Sequence, residues 1–385
     1  MILNLNDFRQ QARRVLPAFA FNYVDGGAED EITLRHNREV FDRWQFVPPV
    51  LKDASERDLS LQLGNEKLSA PLLIAPTGYN GMLRYQADLM LARAARAANI
   101  AWIQSTVSTA AMEEIAADGD GNHWFQLYVL KDRLVTIDLL KRARKAGCST
   151  LVVSVDAVHF GNRERDKRHY RRPMKLSLSS LLNVASKPGW VWRTLKPQGM
   201  PGFGNLKPYI PPQYQRGVGG AAYFAEQMET QLDWQTIRWL REQWPGQLLI
   251  KGILTAEDAQ QAMACGANGM VLSNHGGRQL DGTLSPLLML AEIRQAVGAE
   301  ATILIDSGFR RGTEVVKALA LGADAVLIGR PLLYAVAVNG QEGVEQALTL
   351  LRSEIDRTLA QLGCSNLAQL GPHLLHYAGA IRPQL

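Results

Sequence analysis

The chain has 385 residues, of which 46% are hydrophobic and 21% are charged, a composition typical of a globular protein with a substantial core. Nowhere do about 18 apolar residues run together, so the sequence predicts no membrane-spanning helix, and the polar N-terminus predicts no secretory signal. Cys148, Cys265 and Cys364 are widely spaced and odd in number, which indicates reduced thiols in a cytoplasmic protein without a metal site.

The net charge of +5 comes from one segment of the chain. No acidic residue lies between Asp166 and Glu226, whereas ten basic residues do, so the rest of the chain carries −5. These ten are Lys167, Arg168, Arg171, Arg172, Lys175, Lys187, Arg193, Lys196, Lys207 and Arg216. A basic excess confined to one segment calls for a local function there.

Eight short apolar runs alternate with helical patterns along the chain. Residues 1 to about 65 precede them, look helical at their start and are expected to close one end of the fold. Such runs predict a parallel sheet covered on both faces, and eight of them favour a closed (β/α)8 TIM barrel over an open sheet. The runs are 72–75, 101–104, 124–128, 151–155, 248–251, 269–272, 302–305 and 325–328.

The regular spacing of the strands is interrupted once. About ninety residues separate the fourth run from the fifth, and this insertion contains the acid-free segment. Insertions of this length within a barrel are usually lids, binding elements or disordered segments. Because no linker separates a second unit, residues 1–385 are expected to form a single domain.

Polar and charged residues follow the predicted strands, at the end where barrel enzymes hold their active sites. Lys251 closes an apolar strand, and a buried ammonium without an electron-rich partner is strongly disfavoured. His275 and Arg278 flank two glycines, which permit a sharp turn and close approach to a flat ligand. A base and a cation in this arrangement can converge on one small anion. Gln126 and Tyr128 lie on the third strand or just past it, and Asp156 and Arg163 follow the fourth.

The loops after the last two strands indicate phosphate binding. Residues 306–312 contain two glycines and two arginines, and Gly329-Arg330-Pro331 follows the eighth strand. Barrels commonly hold a phosphate at this place, where glycines permit close approach and arginines match the phosphate geometry. The alternative is that both loops are helix ends with surface arginines. One phosphate-bearing cofactor across the barrel mouth would explain both loops and Lys251.

With these motifs the chain resembles the FMN-dependent L-2-hydroxy acid dehydrogenases and oxidases, which include lactate, glycolate and mandelate enzymes. The resemblance is carried by the signature 273–282 and by residues 21–28, 73–78, 124–128, 250–252 and 329–331. It is strongest toward the membrane-associated mandelate and lactate dehydrogenases. It implies FMN as cofactor, a 2-hydroxy acid as substrate and a homotetramer.

The resemblance also assigns a role to each matching residue. His275 would be the catalytic base with Asp156 on its other nitrogen, Arg163 and Arg278 would bind the substrate carboxylate, and Tyr23 and Tyr128 would hydrogen-bond carboxylate and hydroxyl. FMN would be contacted by Pro76, Thr77, Gly78, Ser105, Gln126, Ser154, Lys251, Ser273, Asp306, Gly308, Arg310, Gly329 and Arg330. Many family members have Ala at position 78, Thr at 154 and Gly at 307, and Gly78 is expected to open space for a bulky substrate.

Residues 171–217 mix lysines and arginines with leucines, tryptophans and prolines. This mixture is typical of segments that bind an anionic lipid surface, so we expect peripheral binding to the inner face of the cell membrane and a membrane quinone as electron acceptor. The alternative is a disordered, soluble lid. Nucleic acid is a poorer explanation because no recognition motif accompanies the charge.

Four functions remain open on the residues alone. A dehydrogenase would pass electrons to a quinone, and an oxidase of the same family would use dioxygen and produce hydrogen peroxide. An FMN-dependent isomerase would keep the phosphate loops but has no use for His275 and Arg278 beside Arg163. A membrane-binding protein without catalysis would not need Lys251.

Overall fold

The computed structural model describes residues 1–172, 175–215 and 218–379, so Arg216 of the basic segment lies outside the described residues. Eight parallel strands pair in sequence order and close on themselves. They are β1 (Leu72–Ile74), β2 (Ala101–Ser105), β3 (His123–Leu127), β4 (Thr150–Ser154), β5 (Gln247–Ile253), β6 (Gly269–Leu272), β7 (Thr302–Ile305) and β8 (Ala325–Ile328). The predicted (β/α)8 barrel is confirmed, with the third, fourth and fifth strands beginning one residue earlier than expected.

Each strand is followed by a helix of the outer ring. The helices are α1 (Ala87–Ala97), α2 (Met112–Ala117), α3 (Arg133–Lys145), α4 (Trp234–Gln243), α5 (Ala256–Ala264), α6 (Pro286–Val297), α7 (Gly312–Ala320) and α8 (Arg330–Gln361). Asp132, Asp233 and Thr255 cap α3, α4 and α5, because each side chain accepts a backbone N–H of the first turn. Helix α8 is kinked at Asn339 and Gly340, where the backbone leaves helical geometry.

Alternate strand residues point into the barrel. Leu73, Val152, Leu249 and Leu304 belong to the interior cluster, together with the neighbouring Val271. Because side chains alternate with a period of two, the same alternation directs the residues two positions further along each strand to the exit end of the interior. Those residues are Ser154 on β4, Lys251 on β5, and Ala75, Ser273 and Asp306 directly after β1, β6 and β7.

The N-terminal region serves both ends of the barrel, whereas the sequence predicted only one. A hairpin of Leu61–Leu63 and Glu66–Leu68 contributes Leu63 and Leu68 to the interior and closes the amino end. Helices Leu5–Val15, Ala18–Asp25 and Ile32–Glu39 precede it, and strand Trp44–Phe46 pairs with Leu375–Tyr377. Helix Ala18–Asp25 lies at the exit end, since Arg278 donates to the Tyr23 carbonyl oxygen at 2.7 Å.

The insertion between β4 and α4 is ordered structure in its described residues. Its elements are Glu164–Lys167, the hairpin of Tyr170–Arg172 with Lys175–Leu176, Leu178–Ala185, Pro188–Trp190, Val191–Leu195, Lys196–Gln198, Pro212–Tyr214 and Val218–Gln227. Residues 178–196, the outer half, expose Leu182 and Trp192. Residues 203–210, the inner half, bury Phe203 and Leu206.

The Asn205 side chain connects the inner half to the barrel by two hydrogen bonds. Its side-chain amide donates to the Ser105 carbonyl oxygen at 3.1 Å, and its amide oxygen accepts the Met112 N–H at 2.8 Å. Within the described residues, no helix combines the length and the apolar character that crossing a membrane requires.

Candidate active site

His275 lies just beyond β6 in a left-handed turn. His275, Gly276 and Gly277 have φ of 57°, 65° and 73°, a conformation that glycine adopts without strain and that histidine adopts at a cost. The turn directs the imidazole to the barrel mouth, where Nδ1 lies 3.0 Å from Asp156 Oδ1 and Nε2 lies 3.3 Å from the Tyr128 hydroxyl. The predicted pair of His275 with Asp156 is therefore present.

The environment keeps this imidazole neutral and its partner ionised. Burial lowers the pKa of His275, and Lys251 and Arg163 lower it further, against the opposing effect of Asp156. Burial alone would raise the pKa of Asp156, but the hydrogen bond from His275 and the charge of Lys251 hold it below its ordinary value. A neutral imidazole beside a fixed carboxylate can accept a proton at Nε2, and the carboxylate stabilises the resulting imidazolium.

Arg163 and Arg278 converge near this pair, where the charge of Asp166 acts on both without forming an ion pair within the described residues. Arg278 Nη1 donates to the Tyr23 and Gly26 carbonyl oxygens at 2.7 and 2.9 Å, and Arg163 Nε lies 3.5 Å from the Arg278 carbonyl oxygen. In the described residues neither guanidinium forms an ion pair with a carboxylate. Burial and the neighbouring Arg278 lower the pKa of Arg163 to about 10. Two adjacent cations of this kind favour a bound anion.

The two tyrosines of the predicted site border the same space. Tyr23 lies under the Arg278 guanidinium, 5.2 Å from ring centre to carbon, and its hydroxyl donates to the Gly78 carbonyl oxygen at 3.2 Å. Burial raises the pKa of Tyr128, so its phenol stays protonated and can donate a hydrogen bond. All six predicted catalytic and substrate residues thus meet at one end of the barrel.

Three predicted cofactor residues form a hydrogen-bonded row across β2, β3 and β4. Ser105 Oγ donates to Gln126 Oε1 at 2.9 Å, and Gln126 Nε2 donates to Ser154 Oγ at 3.1 Å. All three side chains are buried. A row of amide and hydroxyl groups at this depth can donate to and accept from the edge of a flat heterocycle.

The buried Lys251 has a partner within the chain. Its Nζ lies 3.2 Å from Asp306 Oδ2 and donates to Ser273 Oγ at 2.8 Å. Burial would lower the pKa of Lys251, but Asp306 and Asp156 raise it above its ordinary value, so the ammonium is charged. Asp306 is therefore an electron-rich partner of Lys251 within the chain, so the cofactor invoked for Lys251 in the sequence analysis supplies at most part of the compensation.

Arg310 and Arg330 provide the cations of the two loops after β7 and β8. Arg310 Nη1 donates to the Phe309 carbonyl oxygen at 2.7 Å, and Arg330 donates to the Val24 and Gly26 carbonyl oxygens at 2.8 Å. Burial lowers the pKa of both, that of Arg330 to about 9, and neither forms an ion pair with a described carboxylate. Their charges are thus available to a phosphate, beside the N-termini of α7 and α8.

A family model described as FMN-dependent dehydrogenase matches residues 12–377. The chain belongs to the FMN-dependent dehydrogenase family. (S)-mandelate dehydrogenase of Pseudomonas putida is 44% identical over 98% of this chain and 95% of that protein. L-lactate oxidase of a Nostoc species is 40% identical over 97% of this chain and 98% of that protein. A crystal structure of the monotopic membrane protein (S)-mandelate dehydrogenase matches with a TM-score of 0.93 and 43% identity, over 98% and 99% of the two chains.

Family membership makes FMN the cofactor and FMN-dependent oxidation of a 2-hydroxy acid the reaction class. The described residues fit this cofactor. Arg310 and Arg330 can neutralise its phosphate, the row of Ser105, Gln126 and Ser154 can bond the ring edge, and Thr77 Oγ1 is buried without a hydrogen-bond partner among the described residues. Gly308 has φ of 98°, and a Cβ there would lie 2.0 Å from the Asn37 carbonyl oxygen. This close approach accounts for glycine at 308.

The expectation that Gly78 opens space for the substrate is corrected by its surroundings. A Cβ at position 78 would lie 2.3 Å from Val107 Cγ2, so Val107 already fills the volume that an alanine would use. Ser307, where many relatives have glycine, has φ of 77°. Its Oγ accepts the Gly276 N–H at 3.1 Å and donates to Asp306 Oδ1 at 2.7 Å, which offsets part of the strain.

Aromatic residues of the insertion, missed in the sequence analysis, approach the site from one side. Phe224 lies 6.0 Å from Tyr128 between ring centres, Phe203 lies 6.2 Å from Phe224, and Tyr79 lies 5.3 Å from Phe203. These four rings form what we call the aromatic wall. Only the fold brings them together, and the sole sequence signal was aromatic residues within a basic segment.

Proposed function

We propose that this protein oxidises an L-2-hydroxy acid, mandelate-like or lactate-like, to the 2-oxo acid. The observation that carries the proposal is the convergence of Arg163 and Arg278, both without a carboxylate partner, beside the His275–Asp156 pair. A 2-hydroxy acid presents a carboxylate to the two cations and, one bond away, a carbon and hydroxyl to the base. No other part of the described exit end combines these three groups.

Each residue then has a chemical task. Arg163 and Arg278 bind the carboxylate and fix the position of the adjacent carbon. His275 Nε2 takes a proton, Asp156 stabilises the imidazolium, and the Tyr128 hydroxyl, 3.3 Å from Nε2, stabilises the substrate oxygen. FMN, when bound, supplies the acceptor for the two electrons. The charged Lys251 would stabilise the negative charge that FMN gains on reduction.

The aromatic wall favours an aryl side chain on the substrate. Tyr128 belongs both to the wall and to the group around His275, so a side chain attached to the reacting carbon lies near Phe224. Aromatic pairs with ring centres about 4.5–7 Å apart gain roughly 0.5–1.5 kcal/mol beyond burial. Support also comes from the 44% identical relative, which is an (S)-mandelate dehydrogenase.

The visible spectrum of the purified holoenzyme tests the reaction. Anaerobic addition of L-mandelate or L-lactate is expected to bleach the flavin absorbance, with L-mandelate reducing it more efficiently. The D-enantiomers serve as controls. If no 2-hydroxy acid reduces the flavin, the proposal is wrong.

We further propose that the electrons pass to a quinone in the membrane and that the outer half of the insertion binds the lipid surface. Leu182 and Trp192 are 66% and 65% exposed there, and Lys196 Nζ lies 3.3 Å from the centre of the Trp192 ring. Exposed apolar side chains beside cations suit the boundary of an anionic bilayer. The cytoplasmic face of the cell membrane, rich in anionic lipid, is the expected location, and the expected assembly is a homotetramer.

Sedimentation with vesicles tests the lipid contact. The protein is expected to pellet with vesicles of phosphatidylglycerol and phosphatidylcholine at low salt, and Leu182→Ser combined with Trp192→Ser should leave it in the supernatant. Val50→Ser, at a 79% exposed position outside the insertion, is the control and should pellet as the unmodified chain does. Failure of the unmodified chain to pellet would make the outer half a soluble lid.

The second candidate is the oxidase, favoured by the 40% identity to an L-lactate oxidase. Admitting air to the substrate-reduced enzyme separates the two. Slow reoxidation by air with fast reoxidation by a soluble quinone is expected for the dehydrogenase. Rapid reoxidation with one hydrogen peroxide per substrate would identify the oxidase.

A further inference from the structure

The C-terminal end of helix Ala18–Asp25 orients two arginines with different proposed ligands. Arg278, proposed for the substrate carboxylate, and Arg330, proposed for the phosphate, both donate to the Gly26 carbonyl oxygen, at 2.9 and 2.8 Å. Tyr23 lies on the last turn of the same helix. The position of this helix end therefore sets the position of several groups in the site, and the negative end of the helix dipole favours both cations.

Asp25 holds this helix end by its side chain. Its carboxylate is 4% exposed and accepts from Arg9 Nε at 2.5 Å, from Arg165 Nη2 at 3.1 Å and from the Tyr334 hydroxyl at 2.8 Å. Burial would raise the pKa of Asp25, but hydrogen bonds from Arg9 and Tyr334 bring it to about 2. The carboxylate is therefore ionised at any pH at which the enzyme works, and its three partners come from three different segments.

Of these three partners, Arg165 belongs to the segment that also carries Arg163. It lies two residues beyond Arg163 in the loop after β4, and its guanidinium also reaches Asn22 Oδ1 at 3.0 Å and Glu31 Oε1 at 3.1 Å. All three acceptors lie between positions 22 and 31. Arg165 thus connects the loop that carries Arg163 to the helix end that orients Arg278.

Given the proposed function, on which this step rests, we propose that Arg165, through its ion pair with Asp25, is a positioning residue for binding of the substrate carboxylate. Arg163 and Arg278 come from segments more than a hundred positions apart, so their spacing depends on contacts between those segments. Arg278 is fixed by the helix end and Arg163 by the Arg165 contacts. Without Arg165 the two cations no longer keep one fixed separation, and a bidentate anion loses affinity.

Steady-state kinetics of the FMN-loaded Arg165→Met variant test this role. We expect KM for the 2-hydroxy acid to rise about tenfold with kcat changed by less than about twofold, since ground-state and transition-state binding weaken equally. FMN content should stay at one per chain. Arg165→Lys should recover part of the KM, because an ammonium can still pair with Asp25.

Arg9 offers a matched control on the same carboxylate. Arg9 pairs with Asp25 from helix Leu5–Val15 and has no contact with the loop after β4 among its hydrogen bonds. Arg9→Met should lower the thermal midpoint and leave KM unchanged. An equal rise of KM in Arg9→Met, or an unchanged KM in Arg165→Met, would overturn the proposal. If the Met variants do not fold, the same comparison of Arg165→Lys with Arg9→Lys decides. Absence of 2-hydroxy acid oxidation in the unmodified enzyme would instead overturn the proposed function.

Discussion

The arginines at the amino end of the barrel differ from the four arginines proposed to bind ligands at its exit end. At the amino end, arginines pair with carboxylates, as in Arg93 with Asp118 at 2.5 Å, Arg294 with Asp324 at 2.8 Å and Arg57 with Asp356 at 2.8 Å. At the exit end, the guanidinium groups of Arg163, Arg278, Arg310 and Arg330 donate hydrogen bonds only to backbone carbonyl oxygens among the described residues. Since burying an uncompensated charge is costly, cations left in this state mark the places where the fold receives anionic ligands.

The largest expected effect concerns the base between these cations. His275→Gln should bind FMN normally but slow flavin reduction by substrate about 10³-fold or more, because glutamine cannot accept the proton. Stopped-flow absorbance under anaerobic conditions measures the rate. Reduction at a near-normal rate would remove His275 from the mechanism and leave the exit-end cations as simple anion binders.

Replacing an exit-end arginine should cost far more activity than replacing a paired one. Arg278→Met should lower kcat/KM about 10²-fold, since a hydrogen bond to a charged group contributes roughly 1.5–3 kcal/mol. Arg93→Met at the amino end is the control, expected to lower the free energy of unfolding by less than about 1 kcal/mol and to leave kcat/KM unchanged. Similar kinetics for the two variants would erase the distinction between the ends.

Arg310 distinguishes the phosphate part of the exit end from the substrate part. Arg310→Met should weaken FMN binding about tenfold, because one charge-assisted contact to the phosphate is lost, while KM for the substrate stays the same in FMN-saturated enzyme. Titration of the cofactor-free protein with FMN, followed by flavin fluorescence, gives the dissociation constant. Unaltered FMN affinity would mean that the loop after β7 does not bind the phosphate and only begins helix α7.

The smallest expected effect is a displacement of the pH profile. Since the pKa of His275 is lowered, kcat/KM should fall on acidification only below the ordinary histidine value of about 6.5, as the base becomes protonated. Asp156 raises the pKa of His275, so Asp156→Asn should move this acid limb further down. Measurement of kcat/KM from acid to neutral pH checks both, and an acid limb above the ordinary value would contradict the assignment.

Much of the site could be predicted because it follows from position along the strands. Lys251 and Asp306 come two positions after Leu249 and Leu304, so the alternation that places those leucines in the interior also directs Lys251 and Asp306 inward. The pairing of Lys251 with Asp306 was not predictable, since it joins strands 55 positions apart through the closed barrel. That Val107 fills the space beside Gly78 was not predictable for the same reason, because the contact joins two different strand-exit loops.

The sequence by itself determined the eight strands, their inward faces and the residues at their exits, because alternation and turn chemistry are local properties of the chain. The tertiary structure alone decided which charges are neutralised. Asp25 forms an ion pair with Arg165, whereas Arg163, two positions earlier, forms no ion pair with a described carboxylate, although the charge of Asp166 acts on it. It also decided that the inner half of the basic insertion packs on the barrel while the outer half exposes Leu182 and Trp192. Contacts between distant segments depend on how the elements pack, which no local pattern encodes.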